Sequence, residues 1–294
     1  MSSTSPAQDT ATGLAQDGTS DARSTRQASR QRAISEAVMA EGAIRIEQLA
    51  ERFGISVMTV HRDLDDLEMR GLLRKNRGVA TATSTSLVES SDVYRSSRQL
   101  AEKETIALAA LSFVEPGQAI MLDDSTTVLQ LSRHLSTKTP LTVITNVLTL
   151  MQELRGVRGI TLLGVGGQYY NWCSAFMGRI TTQAISNLRA DVFIMSTSAV
   201  TDDVAFHQTL ETIDVKRAMF DSASTRILLV DHTKFEKRAL HSLLPLSDFD
   251  VVIVDEATAP EHIHRLRDRG VNVLVARHSL QDRNGRQSRP GDPS

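Results

Sequence analysis

Two groups of residues in this chain have the types and spacing to do chemistry. The first is the run Asp123-Asp124-Ser125-Thr126-Thr127, which follows the apolar segment Ala119-Ile120-Met121-Leu122. Where a strand hands over to a helix, free backbone N–H groups and hydroxyls converge on one spot, and helix N-termini of this kind hold phosphate. Thr145-Asn146 repeats the arrangement after Leu141-Thr142-Val143-Ile144. Lys234 follows the strand-ending Asp231 and supplies the point charge a phosphate needs, while Asp123 offers an acceptor to sugar hydroxyls. Each of these residues also has a plainer role. Asp-Ser-Thr is a good helix N-cap, Lys234 reads equally as a surface lysine, and His207 beside Gln208 reads as a satisfied loop histidine. Gly166-Gly167 reads equally as a simple turn. The run Gly164-Val165-Gly166-Gly167 lacks the spacing of a dinucleotide fingerprint, which excludes a nicotinamide cofactor.

The second group lies in Ser56 to Gly78. Val57, Val60, Leu64 and Leu67 fall on one helical face, leaving Met58, Thr59, Arg62 and Asp65 as the outward stripe. Arg62 has the fork that bonds guanine bidentately, and Thr59 and Ser56 bond phosphate or a base edge. Beyond Gly71, the run Leu72-Leu73-Arg74-Lys75-Asn76-Arg77-Gly78 makes two short extended pieces around a basic tip, with four positive charges from Arg70 through Arg77 and no acid until Glu89. A second basic segment carries Arg23, Arg26, Arg30 and Arg32.

The elements that must position these residues are of two kinds. Ile46, Leu49, Ala50 and Phe53 have helical spacing and are followed by Gly54 as a C′ glycine; Ser56 then caps the next helix. Two short helices around a tight turn, followed by a basic hairpin, predict a winged helix-turn-helix over 30–80. Between 98 and 278 the pattern changes to apolar runs alternating with helical stretches. The runs are 119–122, 141–144, 160–163, 192–195, 226–230, 251–254 and 271–275. Near-continuous apolar runs predict strands buried on both faces in a parallel sheet, with any ligand beyond their carboxyl ends. The flanks, 1–29 and 279–294, read as disordered tails and 81–97 as a Ser/Thr-rich linker.

Composition bounds the function. Of 294 residues, 40% are hydrophobic and 23% charged, values of a globular protein. Thirty-three Lys and Arg against 35 Asp and Glu leave a formal charge of −2, so nucleic-acid binding must rest on local clusters. The single cysteine, Cys173, excludes an intrachain disulfide and argues against a cysteine zinc site; no metal or other cofactor is expected. No run has the sustained apolarity of a membrane span, and the N-terminus lacks a secretory signal, so a cytoplasmic location is expected.

Gly42 through Gly78, with Gln48-Leu49-Ala50, Phe53-Gly54-Ile55-Ser56-Val57-Met58-Thr59-Val60-His61-Arg62-Asp63-Leu64 and Gly71-Leu72-Leu73, resembles the winged helix of the DeoR/GlpR family of bacterial sugar-responsive regulators. That family has two arginines before Asp-Leu; here the first is His61 and Arg62 matches the second. The resemblance continues through 103–256, with Lys103-Glu104, Asp123 to Thr127, Thr145-Asn146, Gly166-Gly167, Glu211 with Lys216, and Asp231-His232-Thr233-Lys234. It implies a C-terminal Rossmann-like sensor similar in fold to ribose-5-phosphate isomerase and CoA transferases.

On this basis the chain is expected to bind double-stranded operator DNA through Ser56, Met58, Thr59, His61, Arg62, Arg74, Lys75 and Arg77. A phosphorylated sugar or polyol is expected on Asp123, Asp124, Ser125, Thr126, Thr127, Thr145, Asn146, Gly166, Gly167 and Lys234. Asp124 stands where the family commonly has glycine and is assigned to a sugar hydroxyl rather than to a helix cap. The expected function is a repressor of carbohydrate uptake or catabolism genes, working as a dimer or tetramer, with no membrane partner and no enzymatic activity. Two alternatives remain at this point. One is a sugar-phosphate isomerase using Asp123, Asp124 or Glu211 as base beside Lys234; the other is an interaction module that does not bind DNA.

Overall fold

The computed structural model of the protein describes residues 17–82 and 92–277. Residues 1–16 and 279–294 of the expected tails, 83–91 of the expected linker and residue 278 of the second expected domain lie outside the described residues. The chain divides into two compact units, with the boundary between Tyr94 and Arg95.

The first unit contains α1 (Asp17–Glu41), β1 (Ala43–Arg45), α2 (Ile46–Phe53), α3 (Val57–Met69), β2 (Leu73–Asn76) and β3 (Val79–Ala82). The strands form an antiparallel sheet in the order β1-β3-β2. Gly54, at φ +62°, closes α2, and the Ser56 hydroxyl accepts from Thr59 N at 3.2 Å to cap α3. Leu49, Val60, Leu64 and Leu67 pack with Ile34 and Val38 of α1. Here the structure departs from the sequence reading, because residues 17–29, assigned to a tail, are helical. The helix is held by partners distant in sequence. Arg30 makes a two-pronged pair with Asp63 of α3, at 2.5 and 3.0 Å, and Gln31 bonds both Asp63 and Asp66. Asp63 is only 1% exposed. Val57 is the second departure: expected inside, it is 42% exposed, because the first residue of α3 has not yet turned onto the core.

The second unit begins in α4 (Asp92–Ser97), a helix where the sequence suggested linker, and continues into α5 (Leu100–Leu111). Then come β4 (Ala119–Leu122), α6 (Thr126–Ser132), β5 (Leu141–Thr145), α7 (Leu148–Leu154) and β6 (Ile160–Gly164). A hairpin, β7 (Gln168–Tyr170) and β8 (Ala175–Met177), leads through α8 (Arg179–Ser186) to β9 (Ala190–Ser196). The remainder is β10 (Ala199–Thr201), β11 (Val204–His207), α9 (Leu210–Asp221), β12 (Ala223–Val230), β13 (His241–Pro245), β14 (Val251–Asp255), α10 (Pro260–Asp268) and β15 (Val273–Ala276).

All seven apolar runs become strands of one parallel sheet, ordered β15-β14-β12-β9-β4-β5-β6. Its middle strands are dry: Ile120, Met121, Leu122, Phe193, Ile194 and Leu228 have no exposed surface. Successive strands run outward from β4 in one direction and from β9 in the other. The strand order therefore reverses between β4 and β9, and the crevice at their carboxyl ends is the switch point where α/β sheets take ligands. A smaller antiparallel sheet, β10-β11-β13, lies apart from the main one in hydrogen bonding.

The Arg30–Asp63 pair makes a stability test. Removing the guanidinium leaves a buried carboxylate with only amide partners. Arg30→Ala is expected to cost about 2–3 kcal/mol, below the full penalty for a buried pair because Arg30 is itself partly exposed. Chemical denaturation followed on the first unit in the intact protein checks this; a change under about 0.5 kcal/mol would assign the pair to the solvated surface.

Candidate functional site

Crossing the carboxyl ends of β9, β4 and β5, the chain places Ser196-Thr197-Ser198, Asp123-Asp124-Ser125 and Thr145-Asn146 side by side. Lys216 of α9 reaches into this edge and is 1% exposed. Its ammonium bonds Asp123, contacts Asp124 Oδ1 at 3.0 Å and donates to the Ser196 carbonyl at 3.2 Å. Burial alone would lower the Lys216 pKa, but the two carboxylates outweigh it and raise it. Asp124 shows the mirror image. Burial pushes its pKa up, and the charges of Lys216 and Arg95 pull it well below the usual carboxylate range.

The two aspartates differ in what they have left to give. Asp123 accepts from Ser125 N at 2.9 Å, Ser196 N at 3.0 Å and Lys216. It is a bracket between two loops, and its bonds are already committed to the protein. Asp124 Oδ2, by contrast, is buried with no hydrogen bond, and the Arg95 guanidinium lies 3.6 Å away. Nor does Asp124 cap α6: that is Ser125, whose hydroxyl accepts from Val128 N at 3.2 Å. The carboxylate expected to face a sugar hydroxyl is instead the counter-ion of two cations.

Around Asp124 the charge is mainly positive. Lys103 of α5 is buried and bonds the Arg95 carbonyl. Burial, followed by the neighbouring charge of Lys234, lowers its pKa to about 7; Asp231 opposes the shift, and Arg95 and Lys237 add to it. Lys234 is buried in the turn after β12, 3.8 Å from Asp231 Oδ2. His207, at the end of β11, is also buried. Its Nδ1 accepts from Gln208 N at 3.0 Å, which puts any ring proton of the neutral form on Nε2. Burial first, then Lys216, Arg95 and Lys234, push its pKa well below 6.5 against the pull of Asp124. One small region thus gathers Arg95, Lys103, Lys234 and a neutral histidine.

The other residues singled out from sequence sort by what they touch. Thr145 has no exposed surface; its hydroxyl donates to the Leu122 carbonyl and accepts from Val147 N, so it pins β5 to β4. Asn146 donates to the Phe176 carbonyl at 2.7 Å and leaves its buried Oδ1 without a partner. Thr126 and Thr127 are buried, and the Thr126 hydroxyl lies 3.4 Å from the Arg95 carbonyl. Gly166 accepts from Thr181 at 2.9 Å. Gly167 is a packing requirement: a Cβ there would stand 1.9 Å from the Thr181 hydroxyl and 2.8 Å from the Met177 carbonyl. Glu211 is exposed on α9, and no contact carries it to Asp123. Sequence reasoning did not assign Arg95, Lys103, His207 or Lys216 to the site.

In the first unit, Met58 is 63% exposed, Arg62 and Ser56 are exposed, and Thr59 and His61 are partly so. The Ser56 and Thr59 hydroxyls lie 2.9 Å apart, bonded to each other across the cap. Arg74 and Arg77 are exposed on the wing, but Lys75 is paired with Asp65 of α3 and its backbone N–H donates to Glu68 at 2.9 Å. Arg30, expected to add positive field, is committed to Asp63. Arg77 and Gly78 form a two-residue turn with positive φ at both positions, 47° and 77°.

Comparison with known proteins places both units. The DeoR-like helix-turn-helix domain matches residues 30–86, and the DeoR C-terminal sensor domain matches 98–256. The chain belongs to the DeoR family. Among its DeoR-family relatives, the transcriptional repressor AccR of Agrobacterium fabrum is 31% identical over 78% of this chain and 90% of its own length. The lactose phosphotransferase system repressor of Staphylococcus aureus is 31% identical over 76% of this chain and 89% of its own. Ribose 5-phosphate isomerase A of Methanocaldococcus jannaschii superposes with a TM-score of 0.34 at 15% identity, over 45% of this chain and 53% of that one.

Two tests follow for this DeoR-family chain. Arg77 adopts a left-handed conformation that glycine takes without strain. Arg77→Gly is expected to stabilise the DNA-binding unit by about 1 kcal/mol while weakening duplex binding; a variant no more stable than the wild type would deny the strain. The second concerns Lys103, whose pKa is about 7 folded against 10.5 unfolded. The unfolded chain then holds the extra proton between those values, so this group makes stability rise with pH across that window. The wild-type melting temperature is expected to gain on that of Lys103→Met from about pH 7 to about pH 10. Parallel curves would show that Lys103 does not titrate there.

Proposed function

We propose that this DeoR-family chain is a sequence-specific transcriptional repressor that acts in the cytoplasm on carbohydrate uptake or catabolism genes. A phosphorylated sugar or polyol at the carboxyl edge of the second unit releases it from DNA. The observation that carries the effector half is the combination at the switch point of three cations with buried polar atoms that lack partners, Asp124 Oδ2 and Asn146 Oδ1. An anion bearing hydroxyls satisfies both kinds of group, the phosphate on Lys103, Lys234 and Arg95, and a hydroxyl on Asn146. The AccR and lactose-system relatives, named as repressors, support the regulatory half.

The DNA-binding face is α3 with Ser56, Met58, Thr59, His61 and Arg62, flanked by Arg74 and Arg77 of the wing. One short helix reads too few base pairs for specificity, so the protein acts as a dimer or larger oligomer on a repeated or palindromic site. Isomerase chemistry fits less well. A general base needs a free lone pair near the substrate, whereas Asp123 is held by three donors and Glu211 sits on the exposed side of α9.

Binding to a duplex that the protein selects from a random pool is expected to fall steeply with salt. Arg62→Ala is expected to cost about 1–3 kcal/mol and to relax base preference at one position. A sugar phosphate that raises the melting temperature is expected to weaken duplex binding, and the duplex to weaken sugar-phosphate binding by the same factor. Salt-insensitive or absent duplex binding would refute the regulator; turnover of a sugar phosphate would reinstate the enzyme.

A further inference from the structure

Arg95 is the first residue of the second unit and lies inside α4, the helix through which the chain arrives from the DNA-binding unit. It is also built into the anion pocket from two sides. Its carbonyl takes the Lys103 ammonium and lies 3.4 Å from the Thr126 hydroxyl. Its guanidinium lies 3.5 Å from the Asp124 carbonyl and 3.6 Å from Asp124 Oδ2.

We propose that Asp124 is a built-in counter-anion that an effector phosphate displaces from Arg95, so that occupancy of the pocket is transmitted to α4 and through it to the DNA-binding unit. The idea rests on the sugar-phosphate reading above and gives that site its means of regulation. Three features support it. A carboxylate and a phosphate cannot share one guanidinium in a site of low dielectric without strong repulsion. The phosphate is the stronger partner, because it carries more charge and matches the guanidinium fork. Displacement is also cheap for Asp124: Oδ2 gives up a contact at 3.6 Å and no hydrogen bond, while Oδ1 keeps Lys216 at 3.0 Å. Arg95 therefore faces an anion carried by the chain, Asp124, for which a ligand phosphate competes. Its carbonyl is fastened to Lys103, itself one of the cations assigned to the phosphate, so a phosphate that recruits both residues acts on α4 through main chain and side chain together.

The test uses the intact chain, a duplex selected from a random pool by the wild-type protein, and a panel of pentose and hexose phosphates with inorganic phosphate as the simplest member. Asp124→Asn keeps the shape and removes the charge. In the absence of any phosphate compound, it is expected to speed amide hydrogen exchange in residues 92–97 and to weaken duplex binding by ~5–150-fold, the range of ordinary coupling between sites. Arg95→Gln is expected to give the same two changes from the other side of the contact. The double variant should be no worse than either single one, because both remove one interaction. Melting temperatures of all three separate this outcome from general loss of fold, which would add rather than saturate. Wild-type exchange and wild-type duplex affinity in Asp124→Asn, or strictly additive losses in the double variant, would overturn the proposal. If the wild type responds to a sugar phosphate while Asp124→Asn behaves as wild type, the effector reading stands and the relay falls. If no phosphate compound binds but the variants show the saturating loss, the relay stands and the identity of the effector falls.

Discussion

An ammonium with almost no exposure to water must bring its counter-charges with it, and Lys216 brings two. They sit on the loop after β4, the lysine sits on α9, and its third contact is the last residue of β9. One ionic cluster therefore ties together the three elements that surround the strand-order reversal. The conformation of the whole carboxyl edge follows from it. Asp123, oriented by Lys216, receives the backbone N–H groups of both Ser125 and Ser196, and so fixes how each chain segment leaves its strand. With the loop so fixed, Ser125 is free to cap α6 and Asp124 is turned toward Arg95. The cost of burying three charges is met by geometry, and the geometry is what shapes the pocket.

The regular part of this architecture is legible in the sequence because its cause is local. Seven apolar runs of four or five residues become seven parallel strands, since a strand covered on both faces has no polar positions to alternate. The helix-turn-helix is legible for the same reason: spacing, a capping serine and a glycine turn act over a few residues. The shorter strands β7, β8, β10, β11 and β13 escape such reading, having three to five residues of mixed polarity and no shared period. The site is less legible still. Lys216 and Asp123 are 93 residues apart, and nothing beside Lys216 in the chain marks it as buried. Arg95 lies in a serine-rich stretch whose composition resembles linker. A signal did exist for Asp63: it falls three residues after Val60 and four before Leu67, on the inward face, where an acid requires a partner from another element. Arg30 is that partner, and the helix it belongs to extends into a segment whose composition is that of a tail.

The charge economy of the two units differs in kind. In the first, acids and bases pair across elements, Arg30 with Asp63 and Lys75 with Asp65, leaving Arg62, Arg74 and Arg77 outward. The positive field there is made by a few exposed arginines, which agrees with a chain of formal charge −2. In the second unit the cations are buried and crowded, and burial, followed by the charge of Lys234, pushes Lys103 to about 7. Under the proposed effector reading, a divalent anion relieves that crowding in a way that no neutral sugar does, so charge precedes shape in the choice of ligand.

The clamp on α3 has a consequence for how this protein diversifies. Arg30 and Gln31 grip the helix from its inner side through Asp63 and Asp66, while Met58, His61 and Arg62 occupy other positions around it. The residues that hold the helix in place and the residues it presents to solvent are thus separate sets. Under the proposed DNA-binding reading, exchanging the exposed set leaves the clamp untouched, so duplicated copies of the gene can drift toward new recognition sequences without passing through unfolded intermediates.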